Sequence, residues 1–345
     1  MSTILGIEST CDETAVALVV DGRRVVRNVV SSQAAIHARY RGVVPEIASR
    51  AHIESILPVL GDALDDQGSP RFTEIDAVAV AHRPGLIGSL LVGVTAAKTL
   101  AWALNKPLIG IDHVHAHLYS VLLDSDVSPD FPAIGLVCSG GHTAMYLVRG
   151  WLDVVQIGAT IDDAVGEAYD KVAAILNLGY PGGPIIDNLA VSGDPKAIRF
   201  PRTLLDPESL DFSFSGLKTA VLYHVRGVPR KGQNVKDFSP VALSKKALAD
   251  IAAGFQAACI DVLWQKLRRA VERLGARSII IGGGVSANRG LREAMTKFGM
   301  PVYFPAVAFC TDNAAMSAGL AHVYFQAGQF SGLDLDAITF SAFRK

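Results

Sequence analysis

Cysteine is scarce in this 345-residue chain, which has four. They are too scattered to form a CxxC metal knuckle and too few to form a disulfide scaffold, a pattern typical of a reducing compartment. The start of the chain, STILGIES, reads directly as a strand and lacks a basic stretch followed by a long apolar run. We therefore expect no secretory signal and a cytoplasmic protein. The cysteines are Cys11, Cys138, Cys259 and Cys310.

The chain also lacks an excess of positive or negative charge, since its formal net charge is −1 and charged residues make up 19% of it. A nucleic-acid site would therefore have to be a local patch. Two basic clusters qualify, at residues 23–50 and 218–246, although each is equally explained as a solvated face. Half of the residues are hydrophobic, which excludes disorder and predicts a large core. The length favours two domains of about 150 residues each.

A long uncharged hydrophobic run is missing as well. The nearest candidate is residues 86–104, where Lys98 interrupts the apolar residues and small residues are frequent. This composition favours a buried helix of a large core over a membrane span. We therefore expect no contact with a membrane.

Strand and helix signals alternate along the chain, as in an α/β protein. Strands are predicted at 4–8, 15–20, 75–81 and 107–111, and a helix at 43–64 is predicted to turn Ile47, Ile53, Ile56, Leu57 and Leu60 inward. The polar stretch DSDVSPDFP at 124–132 indicates a domain edge. A second strand-turn-strand unit, at 133–148, then repeats the plan of the first. We expect a duplicated α/β unit with a cleft between the two copies.

The stretch IDHVHAHLYS at 111–120 contains three histidines. On a strand all three would share a face, but Asp112 is a good N-cap and the following apolar residues have helical spacing, so we predict a helix. His113 and His117 then lie one turn apart and form a bidentate clamp, while His115 faces away. Two ordinary core or surface histidines remain the alternative.

A metal ion would need a third ligand from a distant segment. FCTDNAAM at 309–316 offers Asp312, and two histidines with one aspartate would leave open positions on an ion that polarises a substrate or generates hydroxide. The glutamate of an HExxH motif is missing, so the usual general base of a zinc protease is not in its usual place.

Three glycine-rich turns indicate a nucleotide site: CSGGHT at 138–143, YPGGP at 180–184 and IGGGVSAN at 281–288. Turns without side chains let backbone N–H groups approach a phosphate or a purine. The turns match neither GxGxxG nor GxxxxGK[ST], so Rossmann and P-loop binding are not supported.

Together with ILGIESTCDETAVALV, GVVPEIASRAH, IDDAVGEAYDK and DFSFSGLKTA, these motifs resemble the bacterial tRNA adenosine threonylcarbamoyltransferase family, TsaD, from about residue 4 to about residue 318. The resemblance implies the duplicated actin and sugar-kinase type of fold (ASKHA, RNase H-like). Domains are then expected at 1–130, completed by a C-terminal helix at 312–345, and at 131–311. The implied reaction moves a threonylcarbamoyl group from threonylcarbamoyl-AMP to N6 of adenosine 37 in tRNAs that read ANN codons.

The resemblance also implies residue roles. The metal ligands would be His113, His117 and Asp312, holding one divalent ion, with Fe²⁺ favoured and Zn²⁺ the alternative. Asp12 and Glu13 would be needed for catalysis. The adenylate would be held by Val137, Cys138, Ser139, Gly140, Gly141, Asp170, Gly183, Asp187 and Asn288.

Implied partners are tRNA, an inactive paralogue subunit of the TsaB type and a small ATPase of the TsaE type, with a homodimer when the chain is alone. Two departures from the family pattern stand out: His82 and Arg83 precede PGL where small residues are expected, and His115 replaces a frequent glutamate. Three other functions remain open at this point: a metal-dependent glycoprotein endopeptidase, a small-molecule kinase or carbamoyltransferase of the same fold, and a purely structural nucleotide-binding subunit.

Overall fold

The structure is a computed structural model that describes residues 1–40, 42–64, 72–228 and 243–341. Part of the second basic cluster, at 229–242, lies outside these residues, as does the last part of the predicted C-terminal helix, at 342–345.

The first half of the chain forms a five-stranded sheet with the strand order β3-β2-β1-β4-β5. The strand β1 pairs antiparallel with β2, to which a short turn joins it, and parallel with β4, which the chain reaches only after a third strand and two helices. The elements are β1 (Thr3–Glu8), β2 (Glu13–Val20), β3 (Arg24–Ser32), α1 (Ala34–Ala38), α2 (Pro45–Leu64), β4 (Ala77–Arg83), α3 (Ile87–Leu104), β5 (Leu108–Asp112) and α4 (His113–Tyr119).

The second half repeats the plan in a sheet with the order β10-β9-β6-β7-β8. Here β6 pairs antiparallel with β7 and parallel with β9, as β1 does with its neighbours. The elements are β6 (Ala133–Cys138), β7 (Thr143–Gly150), β8 (Asp153–Ala159), α5 (Val165–Ile175), α6 (Gly182–Ala190), α7 (Ser215–Arg226), α8 (Lys245–Leu274), β9 (Ser278–Gly282), α9 (Arg289–Met295), β10 (Val302–Tyr303) and α10 (Ala314–Gln326).

Three apolar clusters hold these layers together. Alternate residues of β1 face opposite sides, so Leu5 packs with α2 and α3 while Ile4 packs with α4 and α10. The cluster around Ile4 also contains Val137 and Ile280 of the second sheet, so α4 and α10 lie between the two sheets. The third cluster covers the outer face of the second sheet with α5 to α9.

The predicted inner face of α2 is partly wrong. Ile56 is buried and Leu60 packs against the core, but Ile53 and Leu57 are 64% and 72% exposed. The helix instead buries Ala48, His52, Ile56, Val59 and Ala63. These residues recur at three- and four-residue spacing, so the buried stripe is rotated toward the smaller residues, which allow close approach to the sheet.

Two further predictions need correction. The predicted turn YPGGP provides the first turn of a helix, because α6 begins at Gly182. The predicted C-terminal helix at 312–345 is shorter, since α10 ends at Gln326 and residues 327–341 contain no helix. Gly328, with φ of 67°, is the residue at which the chain leaves the helical direction.

Two helices, α3 and α8, are long and apolar enough to cross a membrane by length and composition. Each packs along the protein, α3 on β4 and α2, and α8 on α6 and β6. The apolar window of α8 is 61% buried and that of α3 is 33% buried, so much of α3 is exposed rather than enclosed as predicted.

Candidate functional site

The helix α4 starts where β5 ends, as the N-cap at Asp112 predicts. The Asp112 carboxylate accepts hydrogen bonds from the backbone N–H groups of Val114 (3.0 Å) and His115 (3.3 Å), and so satisfies two donors that the helix leaves open. His113 and His117 consequently lie on one face, with ring centroids 4.6 Å apart. The helical interpretation of the histidine stretch is therefore confirmed.

Asp312 reaches this face from the loop just before α10. Its Oδ1 lies 3.1 Å from Nε2 of His117 and 3.7 Å from Nε2 of His113. One ligand atom from each of the three residues lies within 4.8 Å of the others. The two imidazoles and the distant carboxylate that the sequence singled out are thus together in space.

The three side chains fit a divalent transition-metal ion. Two imidazole nitrogens and one carboxylate oxygen are a common donor set for such ions, and the three atoms are close enough to share one. Burial raises the pKa of Asp312, but the neighbouring His113 and His117 outweigh it and hold that pKa well below its usual range. The site therefore presents a carboxylate that is ionised at neutral pH, as a metal ligand must be.

His115 does not belong to this group. Its ring packs edge-on against Tyr146, with 5.6 Å between centroids, and burial lowers its pKa. The prediction that it faces away from the histidine clamp is confirmed.

The motif CDET lies at the end of β1 and the start of β2, beside the histidine clamp. Glu13 accepts a hydrogen bond from the Ser32 hydroxyl (3.2 Å). Burial, followed by the negative charges of Asp312 and Asp12, raises the pKa of Glu13 to about 9. A hydrogen bond with Asp12 also contributes to raising the pKa of Glu13, so the two carboxyl groups of the motif lie next to each other.

A cavity of about 600 Å³ lies between the two halves of the chain. One side is lined by the CDET motif, His113 and Asp312, and the other by residues of the glycine-rich turns. From the predicted nucleotide site it includes Ser139, Gly140, Gly141, Asp170, Gly183, Asp187 and Asn288.

Two members of the predicted nucleotide site do not line this cavity. Val137 and Cys138 are fully buried in β6, behind the lining residues. The backbone carbonyl of Cys138 packs against Gly283 in the turn after β9. A Cβ added at Gly283 would lie 2.4 Å from that oxygen, and the φ angle of Gly283 is 87°. Only glycine fits there, which explains the glycine-rich turn after β9.

Sequence reasoning missed several polar residues of the site. Glu8, at the end of β1, is fully buried and lies 3.0 Å from Nδ1 of His113. Gln256 of α8 donates to Asp187 (3.1 Å) and accepts from Asn288 (2.7 Å). Glu8 could have been found from the sequence, because it is a charged residue at the end of the apolar strand ILGIE. Gln256 could not, because it lies far from the glycine-rich turns in sequence and belongs to no motif.

The departure at His82 and Arg83 is accommodated by the C-terminal segment. Nδ1 of His82 donates to the carbonyl of Asp336 (2.9 Å), and Nε of Arg83 donates to Asp112 (3.3 Å). Ser341 donates to the same Asp112 oxygen (2.6 Å). Arg83 therefore supports the N-cap of α4, His82 holds the C-terminal segment, and neither residue lines the cavity described above.

Comparison with known proteins agrees with this geometry. A family model described as tRNA N6-adenosine threonylcarbamoyltransferase, TsaD, matches residues 24–319. Proteins of that name from Moorella thermoacetica and Anaeromyxobacter dehalogenans (strain 2CP-C) are 49% and 48% identical. The alignments cover 98% of this chain, and 96% and 98% of those proteins.

The chain belongs to the TsaD family. The TsaD motifs that carry the resemblance therefore mark a true relationship, and the chain is a transferase.

Solved structures related to this TsaD chain show its fold. Full-length HypF aligns with a TM-score of 0.58 at 15% identity, over 96% of this chain and 56% of that protein's length. Component A of the Acidaminococcus fermentans (R)-2-hydroxyglutaryl-CoA dehydratase aligns with a TM-score of 0.53 at 14% identity, over 95% and 100%. The predicted duplicated actin and sugar-kinase type of fold is confirmed.

Proposed function

We propose that this chain transfers a threonylcarbamoyl group from threonylcarbamoyl-AMP to N6 of adenosine 37 in tRNAs that read ANN codons, releasing AMP. The observation that carries the proposal is the cavity of about 600 Å³. It brings the histidine clamp, an acidic pair and three glycine-rich segments together, which suits two large substrates meeting at one reacting carbonyl.

The glycine-rich side of the cavity is the proposed adenylate site. The space beside Gly140 and Gly141 is open, since nothing lies within 4 Å of the position of a Cβ at either residue. Such a turn admits the phosphate of AMP, and Asp187 and Asn288 offer acceptor and donor atoms for the nucleoside. Holding the leaving group in this way contributes to catalysis by positioning.

The acidic pair is the proposed proton acceptor. The donor is a mixed anhydride and already activated, so no covalent nucleophile is needed. Attack by the exocyclic amine of adenosine requires removal of a proton, and a carboxylate placed beside the amine can accept it. We assign that role to Asp12 and Glu13, which also line the cavity where the donor must lie.

His113, His117 and Asp312 would hold one divalent ion, with Fe²⁺ favoured and Zn²⁺ the alternative. When bound, the ion supplies a positive charge that stabilises the negative charge developing on the carbamoyl oxygen. The chain contributes the fixed geometry, because two ligands are on the rigid first turns of α4 and the third is held by the cap of α10, where Asn313 accepts from Met316 (3.1 Å).

The proposed partners are an inactive paralogue subunit of the TsaB type and a small ATPase of the TsaE type. Ile53 and Leu57 of α2, together with Ile87 and Leu91 of α3, are exposed on two helices that pack against each other. Exposed apolar side chains so arranged mark an interaction surface. We propose that the paralogue covers this surface, and that a second copy of this chain does so in its absence. We propose a cytoplasmic location, because the proposed substrate is tRNA.

Reconstitution tests the proposed reaction. Purified chain with its partner subunits is incubated with synthetic threonylcarbamoyl-AMP and unmodified tRNA, and the digested nucleosides are analysed by mass. We expect threonylcarbamoyladenosine and stoichiometric AMP. Full consumption of the donor without modified nucleoside would refute the proposal.

The alternatives are less well supported. A glycoprotein endopeptidase needs a general base beside the metal, and Val114 of α4 occupies the position at which an HExxH motif carries its glutamate. A small-molecule kinase predicts ADP release from ATP, and a purely structural subunit predicts that His113→Ala leaves modification unchanged. Incubation with a glycoprotein, with and without chelator, and an ADP assay separate these functions from transfer.

A further inference from the structure

Glu8 is the most deeply buried acidic residue beside the histidine clamp, with no exposed surface. Its Oε2 lies 3.0 Å from Nδ1 of His113 and 3.5 Å from the Ser317 hydroxyl. Its Oε1 accepts from the backbone N–H of Thr10 (2.8 Å). The side chain is therefore fixed at both oxygens, and one of them is committed to His113.

This contact decides which nitrogen of His113 is free to bind a metal. A carboxylate has only acceptor atoms, so the hydrogen bond requires that Nδ1 carries the proton. The other ring nitrogen, Nε2, faces Asp312, whose Oδ1 lies 3.7 Å away. A carboxylate behind a metal-binding histidine fixes its tautomer and orientation and makes it a stronger ligand.

We propose that Glu8 is a positioning residue that holds His113 in the tautomer and orientation required to bind the ion. This inference rests on the proposed function. His117 differs from His113 in this respect, because its Nδ1 is buried without a hydrogen-bond partner among the described residues. Glu8 makes the shorter of two contacts with Nδ1 of His113, at 3.0 Å against 3.2 Å for the Thr10 hydroxyl, and so holds this ring on the side away from the metal.

Gln256 is a second positioning residue, and separate contacts carry this assignment. Its amide nitrogen donates to Asp187 (3.1 Å), and its oxygen accepts from Asn288 (2.7 Å) and from the Tyr169 hydroxyl (3.4 Å). The residue is 93% buried and does not line the cavity, whereas the three residues that it contacts do.

Because an amide donates and accepts at fixed positions, Gln256 orients Asp187 and Asn288 toward the cavity without contacting the nucleotide. We infer that it sets the affinity for AMP while leaving the metal site unaffected. Glu8 and Gln256 thus organise opposite sides of the same cavity.

Direct binding measurements on two variants test both assignments. In Glu8→Gln, the Thr10 N–H retains an oxygen acceptor, so the amide group faces Nδ1 of His113 and favours the wrong tautomer. We expect Zn²⁺ affinity, measured by competition with a chromogenic chelator, to fall about 10- to 100-fold while AMP affinity stays unchanged.

In Gln256→Leu, Asp187, Asn288 and Tyr169 each lose their hydrogen bond to Gln256, while the volume is nearly conserved and Asp187 keeps its contact with Arg289. We expect AMP affinity, measured by calorimetry, to fall about tenfold while Zn²⁺ affinity stays unchanged. Glu293→Gln on α9 and Gln265→Leu on α8 are matched controls outside the cavity lining, and both ligands should bind to them as to the parent chain.

The outcomes separate the inference from the proposed function. If a variant binds both ligands as the parent does, or loses both equally while circular dichroism shows a folded chain, its positioning role is wrong. Where Glu8→Gln unfolds, Glu8→Asp is measured instead, and its shorter side chain should weaken Zn²⁺ binding alone. A parent chain that binds neither Zn²⁺ nor AMP refutes the proposed function itself.

Discussion

Five carboxyl groups line the central cavity, and their surroundings shift the pKa values of three of them in different directions. Burial raises the pKa of Asp170 and raises that of Glu13 to about 9, whereas the adjacent imidazoles lower that of Asp312. The neutral Glu13 reduces the negative charge that an anionic adenylate would meet in the cavity. The ionised Asp312 lies where an ion would bind.

Removing the acidic pair should stop transfer without unfolding the chain. Asp12→Ala and Glu13→Ala each remove a group that accepts or holds the amine proton, so we expect the transfer rate to fall about 10²- to 10⁴-fold. Single-turnover formation of threonylcarbamoyladenosine measures the effect, and AMP affinity serves as the control for folding. Full transfer rates in both variants would show that the residues are only turn caps.

The raised pKa of Glu13 also predicts a pH dependence of stability in the metal-free chain. Its pKa in the folded chain, about 9, lies above the reference value of 4.5, so the folded chain binds this proton more tightly than the unfolded chain. Its contribution to stability is complete below pH 4.5 and is lost as pH rises through the folded value.

Glu13→Gln removes that dependence. We expect the melting temperature of the variant, relative to the parent, to increase from about pH 5 to about pH 9, measured by thermal unfolding in chelator. A constant difference across this range would contradict the raised pKa. Ser32→Ala, which removes the hydrogen bond to Glu13, should not abolish the pH trend.

The helices α2 and α3 have two different sides. Toward the interior, Nε2 of His52 and the Ser89 hydroxyl both donate to the carbonyl of Cys11, at 3.0 and 3.3 Å, and thereby hold the CDET turn. Toward solvent, α2 presents the side chains of Ile53 and Leu57. Hydrophobic periodicity predicted that these helices exist, but it assigned both residues to the core because an interface residue and a core residue look alike in sequence.

Charge placed on the outer side should prevent association. Ile53→Asp combined with Leu57→Asp removes two exposed apolar contacts and buries charge in any complex, so we expect partner binding to weaken by at least about 100-fold. Light scattering and titration with the paralogue subunit measure it. Val191→Asp is the matched control, being 71% exposed in the other half of the chain. Undiminished binding by the double variant would exclude this surface.

At the scale of the whole molecule, the two sheets repeat one plan and enclose α4 and α10 between them. The sequence predicted the duplication, because both strand-turn-strand openings are local and their periodicity is clear. It also predicted the pairing of His113 with His117, which depends on helical spacing alone. The prediction that Asp312 joins these histidines needed either the family resemblance or a choice among distant carboxylates. No local sequence pattern predicts a contact between residues that are 195 positions apart.

The domain boundaries at 130 and 311 remain a proposal that the packing supports. The helix α10 contacts β1, β2, β4 and β5 of the first sheet, although it follows the second sheet in sequence. The role of Gln256 could not be predicted from the sequence, because it depends on contacts with three residues from three separate segments.

Metal binding should stabilise the whole chain, because the ligands join α4 to the loop before α10. Binding to the folded state alone adds about 2.7 kcal/mol to the free energy of unfolding at a metal concentration of 100 times Kd. We expect the melting temperature to rise with Zn²⁺ in the parent chain and to stay constant in His117→Ala. The same rise in that variant would show that the ion binds elsewhere.

The position of Asp312 has a consequence for synthesis. A ribosome makes both imidazoles of the clamp early and the matching carboxylate only after some nine-tenths of the chain has emerged. A product that stops between Tyr303 and Asp312 has all five strands of the second sheet but neither the third ligand nor α10, which covers the first sheet. The proposed metal site would therefore be incomplete in such a product, and ion binding would distinguish it from a chain that extends beyond α10.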